Sequence, residues 1–262
     1  MKKYFRIYKV FVENGISFLV QYRHDTLFNL FMHLVWMGMM FLIVEILFGQ
    51  TNAIAGWSKQ EVYMLTLIWT LIGETYITFF GGNLPEIPDT ITDGKLDNLI
   101  TKPVNTLFLV STKFFLVRAT YRVCTELILI GWLVWQFDFA HSLSAILSCI
   151  LLTLCGVMIY YASFLIANTF SFWLLRIDNI NDAVDTISTF GRYPVSVFPL
   201  TIRASIFVFA PIVFASYAPV AVLTGKWPLY TSLFIIAFTI ILCVIAVKFW
   251  NFAIKRYTSA SS

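Results

Sequence analysis

The chain has 262 residues, 59% of them hydrophobic and only 12% charged, with a mean hydropathy of +0.81. A soluble domain carries roughly a quarter charged residues, so this composition excludes one and implies an integral membrane protein. The 26 Phe, 12 Tyr and 8 Trp suit a bilayer and its interfaces, and the small net charge of +4 gives no sign of a nucleic-acid partner.

From the N-terminus, Lys2, Arg6, Lys9 and Glu13 recur at helical spacing on one side. Phe5, Tyr8, Val12, Ile16 and Leu19 recur on the other. Such separation predicts an amphipathic helix over residues 1–24, lying along a membrane surface, and there is no continuous apolar run of the kind a cleavable signal needs. The first predicted span is Leu27 to Phe48, and the second is Val62 to Phe80. The second carries Thr66, Thr70, Glu74 and Thr78, each four apart, which is one polar stripe down a helix. Threonine in a span often bonds only its own backbone, whereas a mid-membrane carboxylate must be paired or wetted. Glu74, with Thr70 and Thr78 beside it, is therefore either a structural pair or part of a translocation path.

Asn83 to Phe108 is the longest polar interval between apolar runs. Within it Leu96, Leu99 and Ile100 share one helical face, Asp93 is the expected N-cap, and Pro103 disfavours helix at Lys102. The expectation is a short helix in a polar loop, either a satellite helix of a solvated loop or a docking helix that offers its apolar triplet to a soluble partner. The third span, Leu107 to Phe137, is too long for a simple crossing, so its first turns should protrude. Arg118, Arg122 and Glu126 are spaced to form one ladder along it, and Lys113 and Arg118 to snorkel beside headgroups.

The fourth span is Leu143 to Leu175, and the last is Tyr230 to Trp250. Between them, Asp178, Asp182, Asp185, Thr189 and Arg192 make one polar face, with Ile177, Ile180, Val184, Ile187 and Gly191 opposite. This segment is either a surface helix or a crossing whose polar face lines a cavity. Prolines 194, 199, 211 and 219 then punctuate an apolar run up to Gly225.

Chemistry is sparse. Cys124, Cys149, Cys155 and Cys243 lie in apolar runs without metal-ligand spacing, and His24, His33 and His141 are far apart, so no metal site is expected. Gly94-Lys95 and Gly225-Lys226 lack the rest of a phosphate-binding loop, and no catalytic nucleophile with its base stands out. With six crossings, Lys2, Lys3, Arg6, Lys9, Arg23, Lys95, Lys102, Arg176, Lys255 and Arg256 fall on one side, and Lys59 and Lys226 on the other. The richer side is the cytoplasmic one, which puts both termini and the polar stretch inside.

Six spans, a basic amphipathic N-terminal helix and a polar loop after span two resemble the permease subunits of bacterial ABC-2-type exporters. The resemblance runs through Gly94-Lys95-Leu96-Asp97 into Lys102-Pro103-Val104-Asn105, then Arg192-Tyr193-Pro194, Phe198-Pro199, Ala218-Pro219 and Thr224-Gly225-Lys226. It implies an all-α membrane permease of one domain, residues 1–262, in a bacterial plasma membrane. It implies a dimer of permeases, more often of two different chains, bound to two copies of a separate ATPase that holds ATP and Mg. This chain would hold no cofactor of its own. Residues 82–106 would be the cytoplasmic coupling element, with Asp93, Gly94, Lys95, Leu96, Asp97, Leu99, Ile100, Lys102 and Pro103 meeting the ATPase. The path would involve Glu74, Thr70, Thr78, Asp178, Asp182, Asp185 and Arg192, and transport would be export by alternating access. The resemblance also implies re-entrant helices before the last span, with Ile177 to Phe198 as the fifth crossing; hydropathy alone makes Leu200 to Leu223 that crossing. A membrane enzyme or assembly scaffold acting on lipid is the other class the residues allow.

Overall fold

The computed structural model describes residues 2–21, 23–137, 139, 142–174 and 179–257, and among these it is helical without β-strands. Helix α1 (Lys2–Gln21) leads into α2 (Arg23–Leu47). Helix α3 (Lys59–Tyr76) starts at a capping box: Ser58 Oγ accepts the Glu61 N–H, and the Ser58 N–H donates to Glu61 Oε2 at 2.7 Å. It ends in a π turn, Ile77–Gly81.

The polar interval is more structured than one helix in a loop. It holds two helices, α4 (Ile87–Thr92) and α5 (Lys95–Ile100). Pro88 sits near the start of α4, where its missing N–H costs nothing, and Ile87 and Ile91 face inward four residues apart, at 1% and 5% exposure. Gly94, at φ +69°, closes α4 in the left-handed conformation and opens α5. Asp93 is accordingly not the N-cap of α5. It caps the C-terminus of α4, and its carboxylate pairs with Lys95 at 2.7 Å.

The third predicted span is broken. Helix α6 (Thr106–Thr112) starts at Asn105, whose side chain accepts the Phe108 N–H, and helix starts again only at the turn Val117–Ala119 leading into α7 (Thr120–Phe137). Beyond it lie α8 (Leu143–Thr169), capped by Ser142, then α9 (Ile180–Ser188), α10 (Leu200–Phe209), α11 (Phe214–Leu223) and α12 (Thr231–Ile254).

Among the described residues, four helical stretches are long and apolar enough to cross a membrane: His24–Leu47, Lys59–Gly81, Leu143–Phe172 and Thr231–Ile254. A fifth is reached if Leu200–Phe207 and Pro211–Leu223, which meet at 108°, count as one span. Helix α7 has 18 residues but carries Arg122 and Glu126. The bundle is centred on α3 and α8, which pack on each other; α3 also meets α7, α11 and α2, and α8 meets α11, α12 and α9. Gly156 of α8 permits the tight crossing, since a Cβ there would lie 2.6 Å from Ile72 Cδ1 and 2.9 Å from Ala215 O.

Residues 179–198 run the height of the bundle. Asn181 accepts a hydrogen bond from Asn168, at the end of α8 where α4 docks on the turn Phe170–Phe172. Halfway, Ser188 O accepts from Trp69 Nε1 at 2.8 Å and Gly191 O from Ser216 Oγ at 2.6 Å. At the far end, Ser196 Oγ reaches Ala55 O in the loop between α2 and α3. The bent pair α10–α11 begins there and returns there, because Lys226 Nζ donates to Gly56 O of the same loop and pairs with Glu61.

Candidate functional site

Two polar regions stand out against this apolar bundle. The first is the α4–α5 foot, residues 82–106. Leu84, Ile87, Ile91 and Leu96 are all buried in the main core. Leu96 is 1% exposed, Leu99 is half-buried against the same core, and Ile100 is 41% exposed. The apolar triplet is therefore split, against expectation: Leu96 is buried inside its own chain while Ile100 is open. Asp93, Lys95, Asn98, Ile100, Lys102 and Pro103 remain on the outside, with Gly94 and Asp97 half-buried. The Asp93 carboxylate holds the Lys95 ammonium above its ordinary range. Helix α1 latches the end of the foot, since Lys3 Nζ donates to Pro103 O at 2.6 Å and Tyr4 rings Phe108 edge-on.

The second region lies inside the bundle. Arg122 Nη1 of α7 donates to Glu74 Oε1 of α3 at 2.9 Å, with the side chains 22% and 13% exposed. Glu126, one turn further along α7, is fully buried, and His33 Nε2 of α2 lies 3.4 Å from its Oε1. The two groups face each other without the alignment of a hydrogen bond. The ring of His33 stacks on Trp36, which meets Trp69. The expected Arg118–Arg122–Glu126 ladder does not form. Arg118 sits in the turn before α7, and Arg122 turns to Glu74 on another helix, where attraction is stronger in the lower dielectric. His33 was not singled out from the sequence, although an ionisable residue within an apolar span was the signal.

Thr70 and Thr78 are off any open surface of the chain. They are 5% and 2% exposed, and their hydroxyls bond carbonyls of their own helix, including Thr66 O and Glu74 O. Glu74 is likewise turned inward by its pair. The polar face of α9 behaves oppositely: Asp182 and Asp185 are exposed, while Val184 and Ser188 face the bundle. Arg192 continues the face, with its guanidinium over the Tyr193 ring and Nη1 3.5 Å from Met40 Sδ. No carboxylate among the described residues lies within ion-pair distance of it. Asp178 lies outside the described residues.

The polar foot is docked on a helical bundle whose longest stretches are apolar enough to cross a membrane. The family model described as "ABC-2 family transporter protein" matches residues 34–261, so the chain belongs to that family and is a membrane permease component of an ABC transporter. Neither the curated proteins nor the solved structures contain a match.

Proposed function

We propose that this chain is a single-domain exporter permease, one of two that face each other in a bacterial plasma membrane and are driven by two copies of a separate ATPase holding ATP and Mg. The observation that carries this is the foot itself. Its underside is fused to the bundle through Leu84, Ile87, Ile91 and Leu96, while Ile100 and its charged neighbours are left outward. A push on that surface is transmitted to α8 through the Phe170–Phe172 turn, and α8 touches α3, α11 and α12. Rocking of these helices would then alternate access to a path along the Asp182–Asp185–Arg192 face.

The topology is six crossings with both termini inside. Helices α2, α3, α7, α8 and α12 cross, and residues 179–198 make the fifth crossing. Two contacts support that choice over α10–α11: Ser196 and Lys226, at the two ends of the bent pair, both bond the loop between α2 and α3. The acidic face is then turned away from this chain toward the second permease. A carboxylate facing lipid would cost about 2.5 to 3.5 kcal/mol on insertion scales, so Asp182 and Asp185 need water or protein there.

Coupling is tested by two substitutions. Ile100→Asp is expected to leave folded yield unchanged while the permease loses the co-purified ATPase and its stimulated turnover; Leu96→Asp lowers folded yield instead. Normal ATPase binding and transport by Ile100→Asp defeats the docking surface. Topology is tested by Ser196→Cys with the four native cysteines removed. Labelling from outside intact cells is expected, and protection until permeabilisation returns α10–α11 to being the fifth crossing.

A further inference from the structure

The break between α6 and α7 is a built feature. Asn83, 3% exposed, holds it from the end of the second span: its Nδ2 donates to Phe114 O at 2.7 Å and its Oδ1 accepts the Phe114 N–H at 2.7 Å. The Leu116 N–H donates to Thr78 O, at the start of the π turn. Helix α1 closes over the break so tightly that a Cβ on Gly15 would lie 2.5 Å from Phe115 O. Non-helical backbone at the edge of a membrane bundle is tolerated where it is buried or lines a cavity, and π turns recur at functional sites.

Here it lines a cavity of about 490 Å³, within the range of small-molecule sites. Lys113 and Arg118 stand at the two ends of the break, Asp25 and Glu86 line the same space from α2 and from the start of the foot, and Phe11 and Phe114 supply apolar wall. Among the described residues none of these four charged side chains is in an ion pair with another protein group. One space thus gathers two cations and two anions that do not satisfy each other.

From this we infer that the cavity binds a zwitterionic phospholipid of the cytoplasmic leaflet, with a phosphate and a primary ammonium in its headgroup. Lys113 and Arg118 take the phosphate, Asp25 and Glu86 accept the ammonium hydrogens, and the acyl chains leave past the apolar wall. A primary ammonium suits carboxylate acceptors, whereas a quaternary one is recognised by aromatic faces. The inference rests on the orientation proposed above, which puts this end of the bundle at the inner headgroup layer.

Native mass spectrometry of the purified permease, exchanged into micelles with equal phosphatidylethanolamine and phosphatidylglycerol, tests it. The wild-type chain is expected to retain phosphatidylethanolamine at least fivefold over phosphatidylglycerol, and the Lys113→Gln/Arg118→Gln chain to lose retention of both. Asp25→Asn/Glu86→Gln should keep lipid but lose the preference, and Lys113→Arg should behave as wild type, which separates charge from misfolding. Equal retention by wild type and both double variants overturns the site. Loss in the cation variant with no wild-type preference overturns the zwitterion. Displacement by soluble glycerophosphoethanolamine at matched concentration overturns the lipid as occupant. Ser196 labelling reports orientation separately, so a correctly oriented permease without the preference sinks this site alone.

Discussion

Two sets of polar residues meet this apolar bundle, and they are treated in opposite ways. Glu74, Arg122, Glu126 and His33 come from three helices and turn inward on one another. Asp182 and Asp185 come from one segment and turn outward, Arg192 beyond them is half-buried against Met40 and Tyr193, and none of the three has an ion pair among the described residues. In sequence the two look alike, since both are polar residues at helical spacing in apolar surroundings. The difference teaches that a closed set holds helices together, while an open set requires something from beyond the chain: water, substrate or a second permease.

The largest expected effect breaks the closed set. Arg122→Leu strands the Glu74 carboxylate beside buried Glu126 and should cost about 3 to 5 kcal/mol, read as a fall in folded yield and in thermal unfolding temperature in detergent. Glu74→Leu/Arg122→Leu should recover most of that loss, because removing both charges removes the stranded one. If the double variant is as unstable as Arg122→Leu, the pair is not what holds α3 to α7. The open set should respond in the reverse sense. Asp182→Asn/Asp185→Asn is expected to stay within about 0.5 kcal/mol of wild type in stability, as surface changes do, while transport falls severalfold. A collapse of folded yield would show that the acidic face is already closed within the chain. The smallest effect is Thr70→Val. Its hydroxyl bonds the backbone of its own turn, so stability and transport should both change by less than twofold; a large transport defect would return Thr70 to the path.

The membrane class, four of the apolar stretches, the first helix and the polar stretch were legible in the sequence, because hydropathy over about twenty residues reflects only the cost of placing side chains in hydrocarbon. Family membership was legible too, in short motifs that run in order from Gly94 to Lys226, inside the residues 34–261 that the family model matches. Helix α4 was missed, although Ile87 and Ile91 at four-residue spacing with Pro88 at its start were a readable signal. Asp93 caps the end of α4 instead of the start of α5 because Asp-Gly fits both a helix start and a helix end, and only the left-handed Gly94 separates them.

What the sequence determined alone was which residues are too polar to face lipid. Which of them close on each other was decided by tertiary structure. The pairing of His33 with Glu126 and of Glu74 with Arg122 joins residues 93 and 48 positions apart, across helices whose relative rotation no local pattern encodes. The same holds for Leu96, whose spacing with Ile100 puts both on one face of α5. The foot tilts so that one is buried and the other exposed, because the apolar surface beneath it is supplied by distant segments packed around α8.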